Sequence, residues 1–309
     1  MKMKRLAMKN VTITTERPAE LLKRISDCYQ KENIIKTSQA ELNSSNSKRI
    51  PKGPIKYDLL RNILNTIAIC NTVVVVNQEG EERKLESSSP DEIAMVEFLE
   101  EYGFKLLQRS DTSGTYKLPN KELLTFKILM TFPFSSERKR MGIIIEIDDQ
   151  IVFYLKGADS IMKDRISDKY EAIIMEETDN LSREGLRTLV LGKKLIEVEQ
   201  WKSWKEKYTK ETAAMVDRDL RVAAVIAELE RDMDFVGITA VEDKLQAGVY
   251  SSVELLRNAG IKVWMLTGDK METAKCICIS TGLRKSNERI LVIEETTDMY
   301  ELEKTMSLY

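Results

Sequence analysis

Histidine is missing from all 309 residues. Without an imidazole the chain has no Ser-His-Asp or Cys-His nucleophile system and no His-ligated zinc site. Cysteine is scarce: Cys28, Cys70, Cys276 and Cys278 are the four, and none falls in a CxxC spacing. With no signal-like apolar N-terminus, a disulfide framework is not expected and a reducing compartment is. No apolar run nears the roughly 18 residues of a membrane span. The candidates, Thr72–Val76 and Gly142–Ile145, are strand-length. The chain is therefore expected to work in water, alone or as a soluble piece of something larger. A charge excess is absent too: 48 Lys+Arg against 50 Asp+Glu leave a net charge of −2. That balance supplies no global pull toward nucleic acid or anionic lipid. No internal repeat is visible.

What is present is a globular composition, 42% hydrophobic and 32% charged. At about 150 residues per domain the length fits two domains, or one with an appendage. Val11–Thr14 is strand material, and a weak helical pattern follows Pro18. Residues 30–54 are polar, with Asn43-Ser44-Ser45-Asn46-Ser47 and Pro51-Lys52-Gly53-Pro54, and are expected to form a mobile loop. Leu59, Leu60, Ile63, Leu64 and Ile67 predict a buried helix over Tyr57–Ala68. Val73–Val76 follows as a strand. Ser89 is a good N-cap, Pro90 sits at the first helical position, Glu92 closes a capping box, and Gly103 stops that helix.

From 104 to 158 the pattern turns strand-like. Phe104–Gln108, Tyr116–Leu118, Leu123–Thr131, Met141–Ile147 and Ile151–Lys156 are separated by turn residues, which predicts an antiparallel meander. Helices are expected at Glu171–Arg183 and Val198–Lys210, with the strand Thr188–Leu195 between them. Near Arg231 the style changes to strand (Asp234–Val241), helix (Gln246–Asn258), strand (Lys262–Leu266), helix (Glu272–Ser280) and strand (Ile290–Glu294). Such alternation is half of a doubly wound parallel sheet. It predicts a boundary between an α+β domain, 1–231, and an incomplete α/β unit, 232–309.

Several short motifs carry possible chemistry. Thr267-Gly268-Asp269 ends an apolar strand, where open α/β sheets bind phosphates. A plain turn would have the same sequence. Glu242-Asp243-Lys244 follows the preceding strand of the same expected sheet. With Thr267 and Asp269 these acids would frame a phosphoryl group or Mg²⁺, unless they are solvated helix-capping carboxylates. In the first domain, Lys156 precedes Gly157, and Arg187 follows Glu184-Gly185-Leu186. Phe132 and Phe134 flank Pro133 just before Arg138-Lys139-Arg140. An aromatic stacker with cations and no glycine-rich phosphate loop suits an adenine nucleotide; core phenylalanines and surface charges are the alternative.

Taken in order, Ser88-Ser89-Pro90-Asp91-Glu92, the Phe132–Met141 stretch with its Arg138-Lys139-Arg140, Lys156-Gly157-Ala158-Asp159, Glu184–Leu189, Ala240–Gln246 and Leu266–Ala274 resemble the cytoplasmic head of P-type ATPases. The wording is most similar to the fourth subclass, the phospholipid flippases. The matches span 88–274, and Met3-Lys4-Arg5-Leu6 resembles the stretch after the phosphorylation motif. The resemblance implies that 1–231 is the nucleotide-binding domain, an antiparallel sheet flanked by helices. It implies that 232–309 is part of the phosphorylation domain, a haloacid-dehalogenase-like Rossmann unit. By position, Phe134 should stack on adenine, Lys156 should lie beside the base, Glu92 should orient the adenine amino group, and Arg187 should contact the phosphates. Thr267, Gly268 and Asp269, with Asp243 nearby, should surround the transferred phosphoryl. ATP and Mg²⁺, a phospholipid substrate, a membrane domain and an accessory subunit are the implied partners, at the cytoplasmic face of a membrane.

The departures shape the expectation equally. No DKTGT motif, which carries the family's phosphorylated aspartate, occurs in this sequence, nor does the GDGxND motif of the Mg²⁺ site. The chain is therefore expected to bind ATP without turning it over, as an excised fragment. A cation pump of the same superfamily and a stand-alone nucleotide sensor are the rival readings. A dehalogenase-type phosphatase is not supported, because no Asp-x-Asp pair follows the first strand of the α/β unit.

Overall fold

The computed structural model describes residues 1–8, 11–15, 18–30, 57–76, 83–285, 287–293 and 299–307. The chain opens with strands β1 (Lys2–Met8) and β2 (Val11–Thr14) and helices α1 (Pro18–Gln30) and α2 (Tyr57–Ile69). The short β3 (Val74–Val76) and β4 (Lys84–Glu86) precede α3 (Pro90–Glu101). The expected meander follows as β5 (Lys105–Arg109), β6 (Ser113–Lys117), β7 (Leu123–Phe132), β8 (Arg140–Ile147) and β9 (Gln150–Gly157). Next come α4 (Asp159–Met162), α5 (Glu171–Arg183), β10 (Arg187–Ile196), α6 (Val198–Thr212), α7 (Arg218–Leu229) and β11 (Asp234–Glu242). Helices α8 (Val249–Asn258), α9 (Met271–Ser280) and α10 (Met299–Ser307) end the described chain. Of the loop expected over 30–54, only Gln30 lies inside the described residues.

Nine strands form one antiparallel sheet in the order β2-β1-β11-β10-β9-β8-β7-β6-β5. Side chains alternate across it. On β8, Met141, Ile143 and Ile145 join a core with α1, α2 and α3, while Ile144 joins a second core with α4 to α7. On β9, Val152 and Tyr154 enter the first core, and Ile151, Phe153 and Leu155 the second. Burial of both faces is why these central strands read as unbroken apolar runs. The same alternation puts Lys156 on the α1–α3 face, where an apolar residue would be expected.

Two expectations are corrected. The chain divides into compact units Met1–Lys244 and Leu245–Tyr309, not at 231. The strand expected to open the second unit is β11, which lies inside the first sheet, hydrogen-bonded to β1 on one edge and β10 on the other. With both edges filled, β11 has no ladder left for a parallel neighbour. Lys262–Leu266 accordingly forms no strand, and Trp264 and Leu266 are 82% and 95% exposed. Residues 290–293 form none either, and Glu294 lies outside the described residues. Among the described residues the second unit therefore carries helices and no sheet, so the expected Rossmann half is not seen. Helix α8 also starts later than expected, at Val249, because Gly248 sits at φ +85° before it.

Candidate functional site

Helix α3 organises the site through its first turn. Ser89 caps it, its hydroxyl accepting the Glu92 amide at 3.4 Å, and Pro90 takes the first position. The reciprocal half of the expected capping box is not made, because the Glu92 side chain goes elsewhere. Its Oε1 accepts the Lys156 Nζ at 2.6 Å. Its Oε2 accepts the Thr72 backbone N–H and hydroxyl, both at 2.7 Å, and the Ser87 hydroxyl at 3.3 Å. Glu92 and Lys156 are each 5% exposed. Burial pushes the Glu92 carboxyl up, but the Lys156 ammonium and the hydrogen bonds from Lys156 and Thr72 outweigh it, and the group is held below its ordinary value. Oε1 keeps one further acceptor position.

Asp91, one residue earlier, reaches the second cation. Arg187 Nη1 lies 3.2 Å from Asp91 Oδ2, and Nη2 lies 3.6 Å from Asp243 Oδ2. Arg187 stands at the start of β10 because α5 ends in a two-bond glycine cap. The Gly185 amide donates to Ser182 O at 2.9 Å and the Leu186 amide to Leu181 O at 3.2 Å, with Gly185 at φ +79°. Register then sets Arg187 opposite Val241, and Asp243 follows directly after β11. The first turn of one helix thus holds both Lys156 and Arg187.

The two phenylalanines divide. Phe132, the last residue of β7, is core: it meets Phe153, Trp204 and Tyr208 edge-on, with ring centroids 6.0–6.3 Å apart. Phe134, in the following loop, is 62% exposed and offers a free ring face. Two of the three cations after it are not free to meet a ligand. Arg138 and Arg140 both bind the buried carboxylate of Glu230, at 2.8 and 2.7 Å. Gly157 likewise serves packing rather than ligand approach, since a Cβ there would lie 2.7 Å from Arg140 Cβ. Of the Arg138–Arg140 run, Lys139 alone is an exposed side chain.

In the second unit, Thr267 Oγ1 accepts the Asp269 amide at 3.0 Å, so Thr267-Gly268-Asp269 is a hydroxyl-braced turn into α9. Gly268 has no atom within 4 Å of where its Cβ would be. Asp243, expected beside this turn on one sheet edge, belongs instead to the first unit, on Arg187. Among the described residues no three Cys, Asp or Glu side chains group as a metal site, so the residues present do not fit a Mg²⁺ site by themselves. No helix among them is long and apolar enough to cross a membrane.

Sequence reasoning missed four members of this arrangement: Asp91, Thr72, Ser87 and Glu230. Asp91 had a signal, its place beside Glu92 in a helix first turn. Thr72 and Ser87 are ordinary loop residues with none. Glu230 lies 90 positions from its partner Arg140, beyond any local pattern.

An antiparallel sheet layered between helices, with acids on one helix turn gripping cations from two strands, is the framework on which residues 59–248 match the family described as P-type ATPase, cytoplasmic domain N. That match covers more than half of the chain, and the chain belongs to the P-type ATPases. It is similar to the probable phospholipid-transporting ATPase IIB of Homo sapiens, 46% identical over 72% of this chain and 19% of the relative. The protein of that name in Danio rerio is 38% identical over 96% of this chain and 29% of its own length. The phospholipid-transporting ATPase NEO1 of Saccharomyces cerevisiae is 37% identical over 96% of this chain and 25% of its own. The chain thus spans between about a fifth and three tenths of the length of these relatives.

Proposed function

We propose that this chain is the ATP-binding part of a phospholipid-transporting P-type ATPase, working at the cytoplasmic face of a membrane. The observation that carries the reading is the α3 first turn, whose Glu92 and Asp91 hold Lys156 and Arg187, the two cations that the family motifs assign to nucleotide. Adenine stacks on the exposed ring of Phe134. Lys156, fixed in place by Glu92, lies beside the base, and the remaining acceptor position on Glu92 Oε1 takes the adenine amino group. Arg187 exchanges part of its hold on Asp91 and Asp243 for phosphate oxygens. Thr267, Gly268 and Asp269, in the other compact unit, act later, around the transferred phosphoryl.

Photolabelling with 8-azido-ATP, followed by peptide mapping, tests the arrangement. Adducts within 132–157, suppressed by excess ATP, are expected. Protectable adducts confined to 245–309 would contradict it.

A further inference from the structure

One buried carboxylate of the first unit, held by three guanidiniums, has no place in the nucleotide site as described. Glu230, which caps the C-terminus of α7, is fully buried. Its Oε1 accepts Arg138 Nη2 at 2.8 Å, and its Oε2 accepts Arg140 Nε at 2.8 Å and Arg165 Nε at 3.4 Å. Three guanidiniums therefore converge on one carboxylate. Two of them, Arg138 and Arg140, lie at the C-terminal end of the loop that presents Phe134. Arg138 Nη1 reaches back to Pro133 O at 3.4 Å, and its guanidinium lies 5.8 Å from the centroid of the Phe132 ring. Arg140 Nη1 donates to Arg138 O at 2.8 Å. The bend itself is tight: the Lys139 amide donates to Ser135 O at 2.8 Å, with Lys139 at φ +51°. A non-glycine residue in that region persists only where its surroundings hold it.

We infer that Glu230 is a positioning residue for nucleotide binding. It fixes the 133–139 bend, and so the ring of Phe134, without touching the ligand. Were its charge removed, the three guanidiniums would face one another across a neutral group, and Arg138, the most exposed of the three, would turn to solvent and release Pro133. Phe134 would remain in place in the sequence but sample many orientations, and stacking would lose its pre-set geometry. The inference rests on Phe134 being the adenine stacker.

A double-mutant cycle in the whole chain separates the two ideas. ATP affinity is measured by titration for the native chain, Glu230→Gln, Phe134→Ala and the double variant. Glu230→Gln is expected to raise the ATP Kd about 3- to 10-fold with Phe134 present, and less than 1.5-fold with Phe134→Ala. The amide NMR signals of 135–139 should shift or broaden while those of 151–155 hold. Equal losses in both backgrounds, or no loss in a folded Glu230→Gln chain, would overturn the positioning role while leaving the nucleotide site intact. If Phe134→Ala itself leaves ATP affinity unchanged, the stacking assignment fails and this inference falls with it. Should Glu230→Gln not fold, Arg138→Met, which cuts only the partly exposed arm that reaches Pro133 O, replaces it in the same cycle with the same criteria.

Discussion

Replacing Lys156 by Met removes an ammonium from a carboxylate that stays buried. Glu92 keeps its two bonds from Thr72 but loses the charge that offsets its desolvation. Breaking a buried ion pair from one side costs about 3–5 kcal/mol. Met is close to the Lys stem in length and apolar, so the cavity contribution is small. A loss of about 3–5 kcal/mol at pH 7 is therefore expected, a large part of the 5–15 kcal/mol typical of a domain. The pH series is more discriminating. In the native chain Glu92 sits below its ordinary value despite burial. A carboxylate so shifted contributes stability above its unfolded pKa of about 4.3, and loses it as pH falls through the folded value. In Lys156→Met burial acts without the opposing charge, and the carboxyl moves up instead. The gap between the two chains is thus widest near pH 7 and closes below about pH 4. Urea unfolding read through Trp201 and Trp204, both buried in the first unit, measures it. A loss under about 1 kcal/mol at pH 7, or a gap that does not narrow on acidification, would refute the reasoning.

Phe134→Ala should weaken ATP binding by about 1–2 kcal/mol, one stacking face, yet leave urea stability within about 0.5 kcal/mol, because its ring is largely exposed. Asp269→Ala should leave ATP affinity unchanged in calorimetry, since the turn at Thr267 belongs to the other compact unit. Burial pushes the Cys28 and Cys70 thiols up to about 11; with a thiol-exchange reagent at pH 8, Cys276 and Cys278, both partly exposed, should react first and Cys70 only on unfolding. Incubation with γ-labelled ATP and Mg²⁺ should give no hydroxylamine-sensitive label, because no DKTGT aspartate is present. A label mapped to Asp243 or Asp269 would reverse that assignment.

The meander was legible because its strands are bounded by turn residues, and because the apolar runs of β8 and β9 follow from burial on both faces of the sheet. The helix from Pro90 was legible from its cap and its terminal glycine. What could not be read was pairing at a distance. β11 has the composition of a parallel strand, and only its ladder partners β1 and β10 reveal an antiparallel one. Lys262–Leu266 has strand composition too, but composition cannot supply a partner. Glu92 and Lys156 were each legible as polar residues in a binding motif; their direct union was not, because it joins a helix turn to a strand 64 positions away. Arg138 and Arg140 looked like ligand cations for the same reason in reverse, since nothing near them in sequence announces Glu230.

The central claim is that the first unit holds an adenine nucleotide through one ring and a few cations. Titrating the chain with ATP by calorimetry or amide NMR tests it most directly. So small a contact set predicts a Kd of about 0.1–5 mM, or roughly −3 to −5.5 kcal/mol, with shifts around Phe134, Lys156 and Arg187. Saturation below about 1 µM, or no binding at about 10 mM, on the same affinity scale, would contradict it.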